Sequence, residues 1–303
     1  MTQATVRMEA PATAGLHSRQ LASLAKDALI AEAELTPKPG LVDRRGSGTH
    51  TDLSLEIMRR SAKTIEPFFA RMAAAATDSP IDGSLRAVLG AIGREAETAM
   101  FKATNGSNSH KGAIWILGLL VAGASSQVDV TPTQVAERAS QIARLPDRAG
   151  VQPVSHGDAM RVRYGATGAR GEACAGFPHV IHVGLPGLAV ARAYGLTEEE
   201  SRLHALLHIM TSLDDTCVLY RGSAEGLQFV QMGARGVLDA GGPGCAAGQE
   251  AFSRFDRELS VKRISPGGSA DLLAATLFQD ALHEGRNKIQ EDNSLPEGNI
   301  WNT

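Results

Sequence analysis

Apolar residues recur along this chain at intervals of three and four positions, and sustained period-2 alternation is absent. Leu21, Leu24, Ala25, Ala28 and Leu29 form the i, i+3, i+4, i+7, i+8 stripe of an amphipathic helix. Pro37 and Pro39 end it, because proline lacks an N–H and clashes with the preceding turn. The same period predicts helices near residues 52–75, 84–102, 108–123, 132–144, 186–194, 198–220, 227–240, 246–259 and 269–284. Two of them open on a capping box, Thr131 with Gln134 and Thr197 with Glu200. "HVIHV" around Val180 is the only short β-branched stretch that reads as a strand. The expected fold is therefore all-α: a compact, single-domain, multi-helix fold whose small Ala and Gly contacts let helices approach closely. One domain is expected over residues 16–285, with flexible ends at 1–15 and 286–303. Residues 144–187 are glycine-rich, long and aperiodic, the mark of an ordered functional loop.

Composition narrows the function classes. A chain of 303 residues with 43% hydrophobic and 21% charged content can bury a sizeable core. Its net charge is −3, its pI is near 6.3 and no block of like charge occurs, so neither nucleic acid nor a membrane surface is an expected partner. Cys174, Cys217 and Cys245 lack paired spacing, which argues against a disulfide framework or zinc knuckle and fits a reducing cytoplasm. The longest apolar run, "GAIWILGLLVAGA" from Gly112, is too short to cross a bilayer, and no signal core opens the chain.

Five polar segments interrupt the apolar pattern. "ELTPKPGLVDRRGSGTH" and the residue pair after it hold Glu34, Lys38, Asp43, His50 and Asp52. In "TNGSNSHKGAIW", Asn108 or Ser109 can cap a helix whose first turn holds His110 and Lys111; a cation there opposes the helix dipole unless an anion binds nearby. "YGATGARGEACAGFP" sets Arg170 and Glu172 among glycines that allow close backbone approach. "TSLDDTCVLYRG" places Asp214 and Asp215 inside an apolar helix, ahead of Arg221; adjacent buried carboxylates need a cation. In "ISPGGSADLLAATLF", Ser269 and Asp271 read as an N-cap and first-turn acid, and Gly267-Gly268 exceeds what capping requires. Taken singly, each segment also reads as ordinary loop or cap chemistry. No GxxxxGK[ST] or strand-borne GxGxxG occurs. Together the segments are the inventory of a Mg²⁺-dependent enzyme acting on a polyphosphate.

"LTPKPGLVDRRGSGTHTDL", "NGSNSHKGAIW", "GARGEACAGFP", "DDTCVLYRG" and "SPGGSADLLA", in this order, closely resemble the triphosphoribosyl-dephospho-CoA synthase family. The resemblance implies an all-α enzyme that transfers the 5-triphosphoribosyl group of ATP to the 2′-hydroxyl of 3′-dephospho-CoA and releases adenine. The product is the prosthetic-group precursor for the acyl-carrier subunit of malonate decarboxylase or citrate lyase, with overall resemblance leaning to malonate decarboxylase. A phosphoribosyl-dephospho-CoA transferase and the acyl-carrier subunit are then the downstream partners, and a homodimer is compatible with the family. Ser109 stands where the family usually has Thr, Trp115 where it often has Phe, and Cys217 where Asn is usual.

On that reading, C1′ of ribose is attacked while the triphosphate serves as a handle, and the transition state carries oxocarbenium character. Glu34, Asp43 and Glu172 are candidates for base or charge stabiliser, and His50 or His110 for protonating adenine. Lys38, Lys111, Arg170, Arg221, Ser265, Gly267, Gly268 and Asp271 are assigned to substrate binding. Asp52, Asp214 and Asp215 are assigned to Mg²⁺. Asp215→Asn or Lys111→Ala is expected to abolish turnover with the fold intact. The same acids and cations would also serve an all-α Mg²⁺-dependent nucleotide hydrolase or phosphotransferase. A helical module docking on the carrier protein would need neither metal nor ATP.

Overall fold

A computed structural model of the chain describes residues 10–125, 130–147 and 156–294. Among these residues are twelve α-helices and no strand. They are α1 (Ala10–Glu34), α2 (Leu55–Ala76), α3 (Gly83–Ala103), α4 (Lys111–Ala124), α5 (Pro132–Arg144), α6 (His156–Tyr164), α7 (Gly168–Cys174), α8 (Leu185–Ala193), α9 (Glu198–Met210), α10 (Thr216–Asp239), α11 (Ala246–Lys262) and α12 (Gly267–Ser294). A π-helical turn, Val180–Gly184, leads directly into α8.

The hydrophobic pattern explains which helix is central. From Ala113 to Ala124 every residue of α4 except Trp115 is buried. A helix apolar on all faces must be wrapped on all sides, and α1, α2, α3, α5, α7 and α12 pack around it. Gly123 lets α5 come closest, because a Cβ there would lie 2.5 Å from the Val135 carbonyl oxygen. α12 is the second buried rod, with Leu272 through Gln279 all buried, and it lies against both α1 and α4. The α1 stripe of Leu21, Ala25, Ala28 and Leu29 is buried, and α1 packs on α2 and α12. Both capping boxes form as read, Thr131 with Gln134 and Thr197 with Glu200. Among the described residues no helix is long and apolar enough to cross a membrane.

Several local expectations are corrected. The helix read at 198–220 is two helices, and Asp214 and Asp215 occupy the break between α9 and α10. Flanking Leu213 and Val218 continue the apolar period, while the Asp215 side chain takes backbone N–H groups and starts a new helix. The break read between 220 and 227 is only a kink within α10, at Ser223 with φ 61°. "HVIHV" lies in the π-helical turn, since no strand occurs among the described residues for it to pair with. Ser269 is no N-cap but lies in the first turn of α12, which begins at Gly267. The described part of the 144–187 stretch folds into α6, α7 and the π-helical turn, units too short to show a helical period. Of the ends read as flexible, residues 1–9 and 295–303 lie outside the described residues, and 10–15 and 286–294 continue α1 and α12.

Candidate active site

The loop after α1 is fixed by its own polar groups. Buried Asp43 accepts hydrogen bonds from the backbone N–H groups of Lys38 (2.9 Å) and Arg45 (2.7 Å) and from the Arg45 Nε (2.8 Å). Arg45 continues to Asp256 at 2.9 Å and to the Lys38 carbonyl at 3.0 Å, and Asp256 also accepts the Gly40 N–H at 2.9 Å. Asp43 is thus the staple of the loop. Lys38, only 1% exposed, turns inward and donates from Nζ to the Glu32 carboxylate and, at 2.6 Å, to the Glu32 carbonyl. A buried ammonium is tolerable only when so paired. Glu32 was not among the residues singled out from sequence, yet the Leu21–Ala25–Ala28–Leu29 stripe points straight at it. An acid on the core face of an amphipathic helix was the available signal.

Asp215 organises the opposite wall. Its Oδ1 accepts from the N–H groups of Cys217 (2.9 Å), Val218 (3.3 Å) and Gly268 (3.2 Å). Its Oδ2 accepts from the Ser269 N–H (2.8 Å) and hydroxyl (3.0 Å). One carboxylate therefore caps α10 and pins the start of α12 to it. Burial pushes the Asp215 pKa up, and these donors pull the other way. Gly268 is required for the approach, because a Cβ would stand 2.9 Å from Asp215 Oδ1. This is the close contact that the Gly-Gly pair serves.

Asp271 completes the pocket from the first turns of α12. It lies against the start of α4, where a Cβ on Gly112 would sit 2.1 Å from its Oδ2. Burial, then the charges of Glu32 and Asp215, hold its pKa well above the usual carboxylate range. Among the described residues no group donates a hydrogen bond to Asp271, in contrast to the five donors on Asp215. The N-terminal ends of α4, α10 and α12 meet here, and their dipoles favour negative charge. Lys111 begins α4, with its N–H on Asn108 Oδ1 at 3.2 Å and its Nζ 3.3 Å from Glu97.

Both candidate histidines of this pocket are neutral near pH 7. His110 is 2% exposed, its Nδ1 is 2.8 Å from Ser61 Oγ, and burial, then Lys38, bring its pKa down to about 3. Its Nε2 is buried without a hydrogen-bond partner among the described residues. His50 bridges the Ser265 hydroxyl (2.9 Å) and exposed Arg221 (3.3 Å); burial, then Arg221, lower its pKa to about 4. Asp52 lies outside it, 3.8 Å from His50 Nδ1.

The remaining sequence candidates make other contacts. Glu34 is ion-paired to Arg59 at 2.7 Å and to Arg44 at 3.6 Å. Glu172 is buried and paired with His179, at 2.7 Å to its N–H and 2.9 Å to its ring. The Glu172 contact raises the His179 pKa, aided by the Ser212 backbone and by Asp214. Asp214 is exposed at that edge. Arg170 is exposed on α7 and its charge works against that of Arg86, while the first residue of α7, Gly168, is held against Thr216 at the start of α10. Among the described residues no three His, Cys, Asp or Glu side chains are arranged to share a metal ion. Asp52, Asp214 and Asp215 thus form no cage, and the Asp215 oxygens are already occupied by donors.

The chain matches the ATP:dephospho-CoA triphosphoribosyl transferase family over residues 18–290, a span that holds every wall of the pocket. It is 52% identical over 270 residues to a protein of Pseudomonas fluorescens named "Probable 2-(5''-triphosphoribosyl)-3'-dephosphocoenzyme-A synthase", covering 88% of this chain and 93% of the relative. Proteins of the same name are 53% identical over 264 residues in Pseudomonas paraeruginosa (86% of this chain, 90% of the relative) and 51% over 268 in Azotobacter vinelandii (88% and 92%). No solved structure matches. The match runs through all the segments read one by one as a loop, a cap and a glycine pair, and the chain belongs to the ATP:dephospho-CoA triphosphoribosyl transferase family.

Proposed function

We propose that this chain transfers the 5-triphosphoribosyl group of ATP to the 2′-hydroxyl of 3′-dephospho-CoA, with the pocket around Asp271 as the reacting centre. The observation that carries the assignment of the centre is Asp271 itself, a carboxylate without a donor partner among the described residues, set where three helix N-termini meet. In the step, the acceptor oxygen bonds to C1′, the C1′–N9 bond breaks, and the hydroxyl proton ends, net, on adenine. Asp271 is the general base: its raised pKa suits it to take that proton near neutral pH. Its negative charge, with that of Glu32, also steadies the oxocarbenium-like ribose.

Lys111, Arg221 and the start of α4 hold the triphosphate, so binding energy remote from C1′ positions the reacting carbon. His50 and His110 act as neutral imidazoles, since neither holds an ionising proton at pH 7. Lys38 keeps Glu32 in place, and Asp43 keeps Lys38 in place. Mg²⁺ would enter with the nucleotide substrate as MgATP. The product would be the precursor of the acyl-carrier prosthetic group, handed to a phosphoribosyl-dephospho-CoA transferase. Malonate decarboxylase is the proposed recipient system, on overall resemblance.

The test is to incubate the protein with MgATP and dephospho-CoA and follow free adenine. Adenine released with dephospho-CoA but not without it is expected. ATP converted to ADP or phosphate without adenine would refute the transfer and indicate a hydrolase or phosphotransferase.

A further inference from the structure

A second charged cluster lies beyond α7. Arg86 on α3, 6% exposed, has its guanidinium 4.9 Å above the Trp115 ring. Its Nη1 is 3.4 Å from Asp147 Oδ2, and Arg94 Nη1 is 2.9 Å from the same oxygen. A third arginine, Arg170 on α7, is near enough to Arg86 to act on it, and among the described residues no carboxylate pairs with Arg170. Two guanidiniums thus share one carboxylate, and the charge of a third acts on Arg86. Two donors in the cluster, Arg86 Nε and Trp115 Nε1, are buried with no hydrogen-bond partner among the described residues.

A buried arginine normally satisfies its fork of donors against a carboxylate or phosphate. Here the carboxylate supply is short. The position is also built to be tight: a Cβ at Gly90 would lie 2.3 Å from Asp147 Oδ2 and 2.9 Å from Arg86 Nη1. α7 connects the cluster to the catalytic pocket, with Gly168 against Thr216 at the start of α10 and Arg170 two residues further on. Burial, followed by Arg170 and Arg94, works against the charge on Arg86, and Asp147 is the main opposing influence.

We propose that Arg86, Arg94 and Arg170 form a second anion subsite that takes a phosphate chain of two or three phosphates. Its charge and unfilled donors stand on their own geometry, and only its assignment to a substrate rests on the transfer reaction proposed above. Both substrates of that reaction carry such a chain: the triphosphate of ATP and the pyrophosphate bridge of dephospho-CoA.

Calorimetric titration with inorganic pyrophosphate and tripolyphosphate tests the subsite directly. Arg94→Gln and Arg170→Gln are each expected to weaken binding about tenfold or more, with melting curves confirming the fold. Arg71→Gln removes the same charge from an arginine paired with Glu95 outside the cluster and should leave binding unchanged. Unchanged affinity in both cluster variants, or an equal loss in Arg71→Gln, would overturn the proposal. In the adenine-release assay, a rise in KM for dephospho-CoA alone assigns the subsite to the acceptor, and a rise in KM for ATP alone assigns it to the donor. If neither KM moves, its assignment to either substrate is refuted. If the unaltered protein releases no adenine, the transfer reading fails and the titration still decides the subsite.

Discussion

Asp215 and Asp271 are acids a few residues from helix starts, but the structure gives them opposite roles. Asp215 holds five donors from two helices, so replacing it strips buried N–H groups of their acceptor. Asp215→Asn should therefore cost about 2 kcal/mol or more, read as a lower urea midpoint, in addition to any loss of turnover. The sequence alone predicts an intact fold after this change, and the five donors on Asp215 overturn that expectation. Asp271 has no such burden. Asp271→Asn should lower kcat about 10³-fold, while melting at or above the native temperature because it relieves repulsion with Glu32 and Asp215. The pH dependence has a definite sign. A base must be deprotonated, so kcat/KM should rise with pH through a pKa above the ordinary carboxylate range. Stability moves the other way: a carboxyl whose folded pKa is raised binds its proton more tightly in the folded state, so stability falls as pH rises through that interval. Both trends should disappear in Asp271→Asn. At this scale the sequence disclosed which residues were unusual, including Lys38, Asp215 and Asp271, but not their partners. Glu32 carries a local mark, an acid on the buried stripe of α1, though nothing there names its lysine partner, and nothing local marks His179, whose partner is seven residues back.

Helices were the most legible elements. The all-round apolar run of α4, the two capping boxes and the stripe of α1 follow directly from periodicity and cap chemistry. The break at 211–215 was hidden because a cap made by Asp215 interrupts the chain without interrupting the apolar period. Glycines carry the information that periodicity lacks, and Gly112 is the sharpest case. Alanine normally stabilises a helix by up to about 1 kcal/mol relative to glycine. At this position, however, the added Cβ would fall 2.1 Å from the Asp271 carboxylate. Gly112→Ala should thus leave the melting temperature near native or higher while lowering kcat about 100-fold, since a catalytic group displaced by about 1 Å loses that much. Activity and melting curves measured on the same preparation check both halves.

At the scale of the whole molecule, the site exists only because helices far apart in sequence end at one place. α4 presents Gly112, α10 presents Asp215, α12 presents Gly268 and Asp271, and the loop after α1 supplies Lys38 to Glu32. No local pattern in a single sequence encodes that meeting: the residues alone indicate an enzyme acting on a polyphosphate, and only the five segments together resemble the family. The central claim is that the ribose of ATP moves with its triphosphate intact. Mass spectrometry of the nucleotide product formed from MgATP and dephospho-CoA tests it most directly. The account predicts dephospho-CoA heavier by one ribose and three phosphates, formed in equal amount with adenine. Dephospho-CoA of unchanged mass, or a product carrying phosphate without the added ribose, would contradict it.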